Sequence, residues 1–215
     1  MKTKVLLFLL IAGFSFTSCS VWGVRGNGRV REESRNISEF TKLSAGGAYS
    51  IKVHVGKEAS LRISAEENLL PLIRTSVRGN TLVIDSKKSL SPRKEIRILI
   101  TTPNLTSLSV SGANNIDASG INCDDFEAEL SGAGSVDLEG KVNNFRAELS
   151  GAGNIDAKNL KANDVSISVS GAASADVYAK ESLDASVSGV GSIDYYGDPA
   201  KTKTNVSGVG SISRK

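Results

Sequence analysis

The C-terminal half of the chain alternates apolar and polar residues with a period of two, which predicts half-buried β-strands. One such stretch carries Phe145, Ala147 and Leu149 on one face, with Arg146 and Glu148 between them. The alternation recurs in neighbouring stretches, whose predicted inward residues are Phe126, Ala128, Leu130, Val165, Ile167, Val169, Leu183, Ala185 and Val187. No stretch in this half has the spacing of an amphipathic helix. The pattern therefore predicts an all-β fold.

A second short strand is predicted after a Gly-rich corner in each unit. Its inward positions are Ile116, Val136, Ile155, Ala175, Ile193 and Ile212, and they continue to Ala118, Leu138, Ala157, Val177 and Tyr195. A third inward position is predicted at Ile121, Val142 and Leu160. Each unit thus contributes two or three short strands to a shared core.

Six copies of one motif mark the corners. They begin at Ser111, Ser131, Ser150, Ser170, Ser188 and Ser207, read SGANNID, SGAGSVD, SGAGNID, SGAASAD, SGVGSID and SGVGSIS, and start 18 to 20 residues apart. Units this short cannot bury an apolar face alone, so we predict a β-helix-like solenoid of ~19-residue SGAGxID repeats over residues 105–215. The alternative is an antiparallel array of hairpins with a turn at each SGAG, because hairpin turns also favour glycine.

The preceding part, residues 28–104, is β-rich but less regular. Alternation recurs at Tyr49–Val55 and Ile96–Ile100, among other stretches. The only candidate helix, residues 66–77, contains Pro71, which keeps any helix there short or kinked. This half is expected either to continue the stack and cap its end or to form a small separate sandwich.

The N-terminus has the organisation of an export signal. Lys2 and Lys4 precede an apolar run, residues 5–16, that is shorter than the ~20 residues of a spanning helix. The small residues before Cys19 resemble the lipobox of bacterial lipoprotein signal peptides, which implies cleavage after residue 18 and acylation of Cys19. Residues 1–18 are then the signal peptide, and residues 19–27 are the acylated cysteine and a spacer. An ordinary secretory signal with a chance cysteine is the alternative.

The low content of histidine and cysteine limits the metal sites and catalytic groups that this chain can form. The 215 residues include one histidine, His54, and two cysteines, so a metal cluster or a histidine-based catalytic relay is poorly supported. With Cys19 acylated, Cys123 has no disulfide partner, and two neighbouring acids are expected to raise its pKa and leave it an inert thiol. No cofactor is predicted.

Charge is distributed unevenly along the chain. Residues 20–110 carry fifteen basic and eight acidic side chains, whereas residues 111–215 carry nine and fifteen. No basic stripe is interleaved with aromatic residues, so nucleic acid is not a predicted partner.

Four upstream motifs and the six repeats together resemble the GIN-domain proteins of Bacteroidetes, a family named "putative auto-transporter adhesin head domains". The upstream motifs are RGNG at 25–28, FTKLSAGGA at 40–48, EENLLPLI at 66–73 and GNTLVI at 79–84. The resemblance covers residues 25–215. It implies a β-helix fold, a cell-envelope location and an adhesin role.

The repeat also predicts a column of outward carboxylates. Its members are Asp117, Asp137, Asp156, Asp176 and Asp194, with asparagine or serine two positions earlier in each repeat. Carboxylates about 5 Å apart repel one another and need compensation. They form either a face for hard cations or glycans, or a set of solvated caps on turn amides. The Gly-Gly-x-Gly-x-Asp calcium pattern is missing, so no metal site is assigned.

Tyr178 and Tyr196 occupy matching positions in adjacent repeats. Stacked tyrosines either receive a sugar ring or pack on each other. We therefore expect a lipid-anchored envelope protein with a non-catalytic interaction role, its partners being the membrane and a glycan or envelope protein. A polysaccharide-active β-helix enzyme is the alternative, although the repeat itself accounts for the acidic ladder. The sequence leaves the oligomeric state open.

The expected location is the outer membrane, on its periplasmic or surface face. Ser20 and the residues after it include no acidic cluster of the kind linked to surface export, which favours the periplasm.

Overall fold

A computed structural model describes residues 23–215, so the predicted signal peptide and Cys19 lie outside the described residues. The described chain is nearly all strand and forms a β-solenoid of about five turns. Its N-terminal strands are β1 (Val24–Arg25), β2 (Val30–Arg35), β3 (Lys42–Gly47), β4 (Ser50–Val55), β5 (Ser60–Glu66), β6 (Ile73–Arg78), β7 (Thr81–Ser86), β8 (Leu90–Ser91) and β9 (Arg97–Thr102). The repeat strands are β10 (Ser107–Gly112), β11 (Asn115–Gly132), β12 (Ser135–Gly151), β13 (Asn154–Gly171), β14 (Ser174–Gly189), β15 (Ser192–Tyr196), β16 (Lys201–Gly208) and β17 (Ser211–Arg214).

The repeat strands pair in parallel from coil to coil, which confirms the solenoid. Leu130 pairs with Leu149, and Leu149 pairs with Val169, so equivalent repeat positions lie directly above one another. The hairpin alternative is wrong, because hairpins require antiparallel partners and the strands of the repeats pair in parallel.

The predicted inward and outward parity also holds. Leu149 is only 1% exposed, whereas Glu148 beside it is exposed. The third inward position needs one correction. Ile121, Val142 and Leu160 are all buried, but Val142 pairs with Cys123 and Ala162, while Gly140 stands between Ile121 and Leu160. Val142 therefore lies in a neighbouring column, because the repeats differ in length and the register shifts after Ala118 and again after Asp137.

Close approach of successive coils accounts for the glycine at the second repeat position. A Cβ added to Gly151 would lie 2.3 Å from the carbonyl oxygen of Gly132, and one added to Gly132 would lie 2.1 Å from that of Gly112. Real Cβ atoms do not approach this closely, so the corner excludes every side chain. Some of these corners, such as Gly171 with φ of 122°, also use a backbone conformation that favours glycine.

The N-terminal half continues the stack. Strand β3 pairs in parallel with β10 and β7, and β4 pairs in parallel with β11 and β9, so both halves share one sheet. Antiparallel pairs β2–β5, β5–β9 and β6–β7 close this end. The candidate helix is a single 3-10 turn, Leu70–Leu72, with Pro71 inside it. Across residues 23–215 the structure contains no apolar helix of membrane-spanning length.

Asn114 joins the irregular half to the repeats. It replaces the glycine or alanine that the later repeats have at this position, and it is fully buried. Its Oδ1 accepts the backbone N–H of Tyr49 at 2.9 Å, and its Nδ2 donates to the carbonyl of Ser111 at 2.7 Å. The amide satisfies backbone groups where the coil geometry changes.

The opposite end of the stack is polar. At the inward positions above Leu183 and Ala185, the last coil has Thr202 and Thr204, and both are exposed. A polar outer coil tolerates solvent where no further coil covers it.

Candidate functional site

The five aspartates of the predicted column lie in register on one face. Asp117 pairs with Asp137, and the column continues through Asp156 and Asp176 to Asp194. Parallel neighbours are about 4.8 Å apart, so the carboxylates repel one another unless cations intervene.

Lysines supply the compensation at alternate coils. Lys52 Nζ lies 3.7 Å from Asp117, Lys158 forms an ion pair with Asp156, and Lys215 Nζ lies 3.2 Å from Asp194. Among the described residues, Asp137 and Asp176 form no such pair. Lysines therefore neutralise the carboxylates at the two ends and the middle of the column. The carboxylates between them, Asp137 and Asp176, have no lysine partner among the described residues.

The pKa values of the two intervening carboxyls, Asp137 and Asp176, are raised. Partial burial raises the pKa of Asp137, and the charges of Asp156 and Asp117 raise it further. The pKa of Asp176 is raised in the same way, first by burial and then by Asp156 and Asp194. Lys158 opposes the shift in both cases but does not cancel it.

The contacts of the aspartate column are mainly with lysines. Asp156 accepts the backbone N–H of Lys158 at 3.2 Å, which is the only backbone hydrogen bond to this column in the part of the chain described. Within residues 23–215, no group of three or more His, Cys, Asp or Glu side chains has an arrangement that holds a metal ion. Lysines, rather than turn amides or a metal site, dominate the contacts of this face.

The two tyrosines are neighbours, as the repeat predicts. Tyr178 pairs with Tyr196, and the hydroxyl of Tyr196 approaches Asp176 Oδ1 at 3.5 Å. Lys161 Nζ lies 3.7 Å from the centroid of the Tyr178 ring, a cation–π contact. One face of the Tyr178 ring is therefore already occupied by a lysine.

A groove on another side of the solenoid was not predicted from the sequence. It encloses about 600 Å³ and crosses six stacked strands, β3 and β10 to β14. We call it the ladder groove. Its two outward columns are Asp125, Asn144, Asp164 and Ser182, and Lys42, Ser107, Glu127, Arg146, Ser166 and Asp184.

Side chains of the ladder groove bind one another from coil to coil. Asn144 Nδ2 donates to Asp125 Oδ1 at 2.8 Å, and the hydroxyl of Ser182 donates to Asp164. Just outside, Asn143 Nδ2 donates to Asp124 Oδ1 at 2.7 Å. These contacts hold the polar groups in place before any ligand arrives, which lowers the ordering cost of binding.

A sequence signal for the groove exists. Inside each of strands β11 to β14, two polar residues precede a buried residue: Asp124-Asp125 before Phe126, Asn143-Asn144 before Phe145, Asn163-Asp164 before Val165 and Glu181-Ser182 before Leu183. The signal is weaker than the SGAG motif because the residue types vary from coil to coil. Only the structure shows that the second residue of each pair lines the ladder groove.

A second depression, of about 840 Å³, follows the Gly-rich corner. Small residues such as Ala152, Gly153 and Ser174 line it, so it offers few functional groups. His54 is exposed, and its Nδ1 lies 3.3 Å from the hydroxyl of Ser119. Burial raises the pKa of the Cys123 thiol, and Asp125 and Asp124 raise it further, in the predicted direction.

Comparison with known families and structures gives consistent matches. Residues 39–199 match the family model described as "Putative auto-transporter adhesin, head GIN domain". The crystal structure of a "putative adhesin" from Bacteroides fragilis is 29% identical, has a TM-score of 0.74, and covers 90% of this chain and 100% of its own.

Two further crystal structures share the fold at lower identity. A "putative lipid binding protein" from Parabacteroides distasonis is 22% identical with a TM-score of 0.60, and 90% of this chain and 100% of that one align. A "putative adhesin" from Parabacteroides merdae is 19% identical with a TM-score of 0.53, over 90% and 99% of the two chains. No curated protein matches this chain.

Proposed function

Because this chain belongs to the family of GIN-domain adhesin heads, we propose that it is a lipid-anchored, non-enzymatic envelope adhesin that binds an extended glycan in the ladder groove. The family and the Bacteroides fragilis structure support a non-enzymatic adhesin role. The proposal extends that role to a glycan ligand and a lipid anchor.

The observation that carries the glycan assignment is the repetition of polar groups along the ladder groove. The ladder groove presents carboxylates at Asp125 and Asp164, an amide at Asn144 and a guanidinium at Arg146. Sugar hydroxyls both donate and accept, so they match a surface that mixes acceptors and donors. A polymer with a regular repeat meets a surface whose coils repeat about every 4.8 Å.

Surface chemistry favours the groove over the aspartate face. On that face, Asp117, Asp156 and Asp194 are paired with lysines, and the two remaining carboxylates, Asp137 and Asp176, each lie between two like charges. Along the groove, Arg146 Nε is 3.5 Å from Glu148 and Lys203 Nζ is 2.9 Å from Asp184, while Asp125 and Asp164 bind neutral partners. Carboxylates with neutral partners are free to accept hydroxyl groups at little electrostatic cost.

Binding to immobilised linear oligosaccharides, from disaccharide to octasaccharide, tests the groove. Affinity should rise with chain length until the ligand spans the six strands of the groove, about 24 Å, and then level off. Asp164→Ala and Arg146→Ala should each weaken binding by about 10-fold to 150-fold, since a hydrogen bond to a charged group contributes about 1.5–3 kcal/mol.

Asp137→Asn is the matched control, because it changes an outward carboxyl on a different side of the solenoid. It should leave oligosaccharide affinity within twofold. If Asp137→Asn weakens binding while Asp164→Ala does not, the glycan contact belongs to the aspartate face and the groove assignment fails.

The proposed anchor is tested separately. Cys19 lies four residues before the first described residue and follows a lipobox-like sequence. Acylation with two or three chains holds a protein at a membrane stably, since each buried methylene contributes about 0.8 kcal/mol. Cys19→Ala should remove incorporation of labelled fatty acid and release soluble protein or leave an uncleaved precursor. A cleaved Cys19→Ala protein that still pellets with membranes in high salt would contradict the anchor.

A lipid-anchored adhesin fits the outer membrane, on its periplasmic or its surface face. Protease treatment of intact cells distinguishes the two: the described strands are degraded only if the protein faces outward.

A further inference from the structure

Five exposed cations gather at the N-terminal end of the solenoid. We call them the basic cap patch: Arg25, Lys87, Lys88, Arg93 and Lys94. None of the five forms an ion pair within residues 23–215, although thirteen pairs occur there. Their charge is therefore available to an external partner.

Backbone hydrogen bonds bring the patch together from two distant segments. Strand β1 pairs in parallel with β8, so that Arg25 lies opposite Ser91. Val24 N–H donates to the carbonyl of Ser89 at 2.8 Å, and Gly26 N–H donates to that of Ser91 at 3.1 Å. Arg25 is thereby fixed beside the loop that carries the other four cations.

Nearby acids do not neutralise the patch. Asp85 is paired with Arg74 at 2.6 Å, and Glu95 is paired with Arg97 at 2.7 Å. Glu66 is fully buried and accepts the backbone N–H groups of Arg93 and Lys94, not their side chains. The carboxylates close in sequence or space are thus already engaged.

The patch also lies next to the proposed anchor. Cys19 precedes Gly23 by four positions, and an extended chain of that length spans at most about 14 Å. An acyl group on Cys19 would therefore hold this end of the solenoid within about two Debye lengths of the headgroups at physiological salt. The anchor is part of the proposed function, and this step rests on it.

We infer that the basic cap patch docks on the anionic phospholipid headgroups of the membrane that holds the anchor. Docking sets the orientation of the protein. The N-terminal end, which belongs to the half with fifteen basic and eight acidic residues, faces the bilayer. The repeats, with nine basic and fifteen acidic residues, are repelled from it and project outward. The ladder groove is then presented away from the membrane.

Vesicle binding by the non-acylated protein tests the patch without the anchor or any glycan. The protein is the mature chain, residues 19–215, with Cys19→Ala, which retains every described residue. We expect co-sedimentation with vesicles containing one third phosphatidylglycerol, no co-sedimentation with pure phosphatidylcholine, and loss of binding as salt is raised.

Paired substitutions locate the contact. Each basic side chain at an anionic surface contributes about fivefold to partitioning, so Lys87→Gln with Lys88→Gln should lower the partition coefficient about 25-fold. The matched control is Lys141→Gln with Lys201→Gln, two lysines of the repeats that are exposed and form no ion pair within residues 23–215, and it should change the coefficient less than twofold. Both pairs are exposed, so circular dichroism should confirm unchanged folds.

Equal binding to neutral and anionic vesicles would overturn the inference, and so would an equal loss in the two double variants. Either result leaves the acylation test on Cys19 and the oligosaccharide test on Asp164 standing. Conversely, absence of fatty-acid labelling would remove the anchor while leaving the vesicle result intact.

Discussion

Glu66 Oε2 accepts the backbone N–H of Arg93 at 2.8 Å from a position that is 0% exposed. The other oxygen of the same carboxylate accepts the N–H of Gly28. One buried side chain thus fastens both the segment that leaves the N-terminus and the loop of the basic cap patch. A Cβ on Gly26 would collide with this carboxylate, which explains the glycine there.

Acid should loosen this end of the solenoid. Burial acts to raise the pKa of Glu66, but the N–H groups of Arg93, Gly28 and Lys94 outweigh it and lower the pKa below its ordinary value. A carboxyl whose folded pKa is lowered stabilises the fold above its unfolded pKa of about 4.3, and this contribution is lost as pH falls through the folded pKa. Denaturant melts between neutral and strongly acidic pH should show that loss.

Glu66→Gln should be less stable than the parent at neutral pH and should lose less stability on acidification. Glu39→Gln, at an exposed carboxyl that forms no ion pair within residues 23–215, is the control and should follow the parent. Parallel pH curves for the parent and Glu66→Gln would contradict the assignment.

The inward column at Leu149 gives a second prediction. Leu149 is 1% exposed and lies in register with Leu130 and Val169, so Leu149→Ala should destabilise the protein by about 2–5 kcal/mol. Glu148→Ala should change stability by less than about 0.5 kcal/mol, because that side chain is exposed. Equilibrium denaturation measures both. Equal losses would mean that the neighbouring coils do not pack on Leu149.

The Gly-rich corner gives a third prediction. Gly151→Ala places a methyl group 2.3 Å from the carbonyl oxygen of Gly132, and the coils must separate locally to admit it. Such overpacking should cost about 1–3 kcal/mol. Ala152→Ser, at the exposed next residue, should be neutral within about 0.5 kcal/mol. Thermal or denaturant unfolding distinguishes them, and a neutral Gly151→Ala would show that the corner is looser than described.

The aspartate column gives a prediction of the opposite pH sign. A carboxyl whose folded pKa is raised destabilises the fold above that pKa, and stability returns as pH falls towards its unfolded value of about 3.9. Because the pKa of Asp137 is raised, Asp137→Asn should stabilise the protein at neutral pH and low salt by roughly 0.2–1 kcal/mol. Salt should shrink the gain.

Asp156→Asn is the matched control for Asp137, because it removes a carboxylate that is paired with Lys158. It should not stabilise the protein, since the lysine then loses its partner. Equal stabilisation by both substitutions would mean that the lysines do not select between the coils.

The regular part of the fold was predictable because six copies of one motif repeat the same pattern of apolar and polar positions. The inward position of Leu149, the column from Asp117 to Asp194 and the pairing of Tyr178 with Tyr196 all follow from counting along the motif. The misplacement of Val142 arises where that count fails, because the repeats differ in length and the register shifts within the strands.

The remaining features depend on contacts that a repeat does not encode. Lys52 reaches Asp117 from the irregular half, and Lys215 reaches Asp194 from the last coil. Glu66 binds Gly28 across 38 residues of chain. No local pattern specifies such pairs, because each depends on where two non-repeating segments meet after folding.

The register shifts between coils have a consequence for how such genes change. They occur at irregular points within the long strands β11, β12 and β13, as between Ala118 and Ile121, between Asp137 and Glu139 and between Ala157 and Lys161. A codon gained or lost at such a point leaves the regular segments on either side in phase. The same change inside a regular segment would turn each later inward residue of that segment outward. Insertions and deletions should therefore accumulate at these points among descendants of one ancestral gene, while duplication of a whole coil lengthens the protein without disturbing its neighbours.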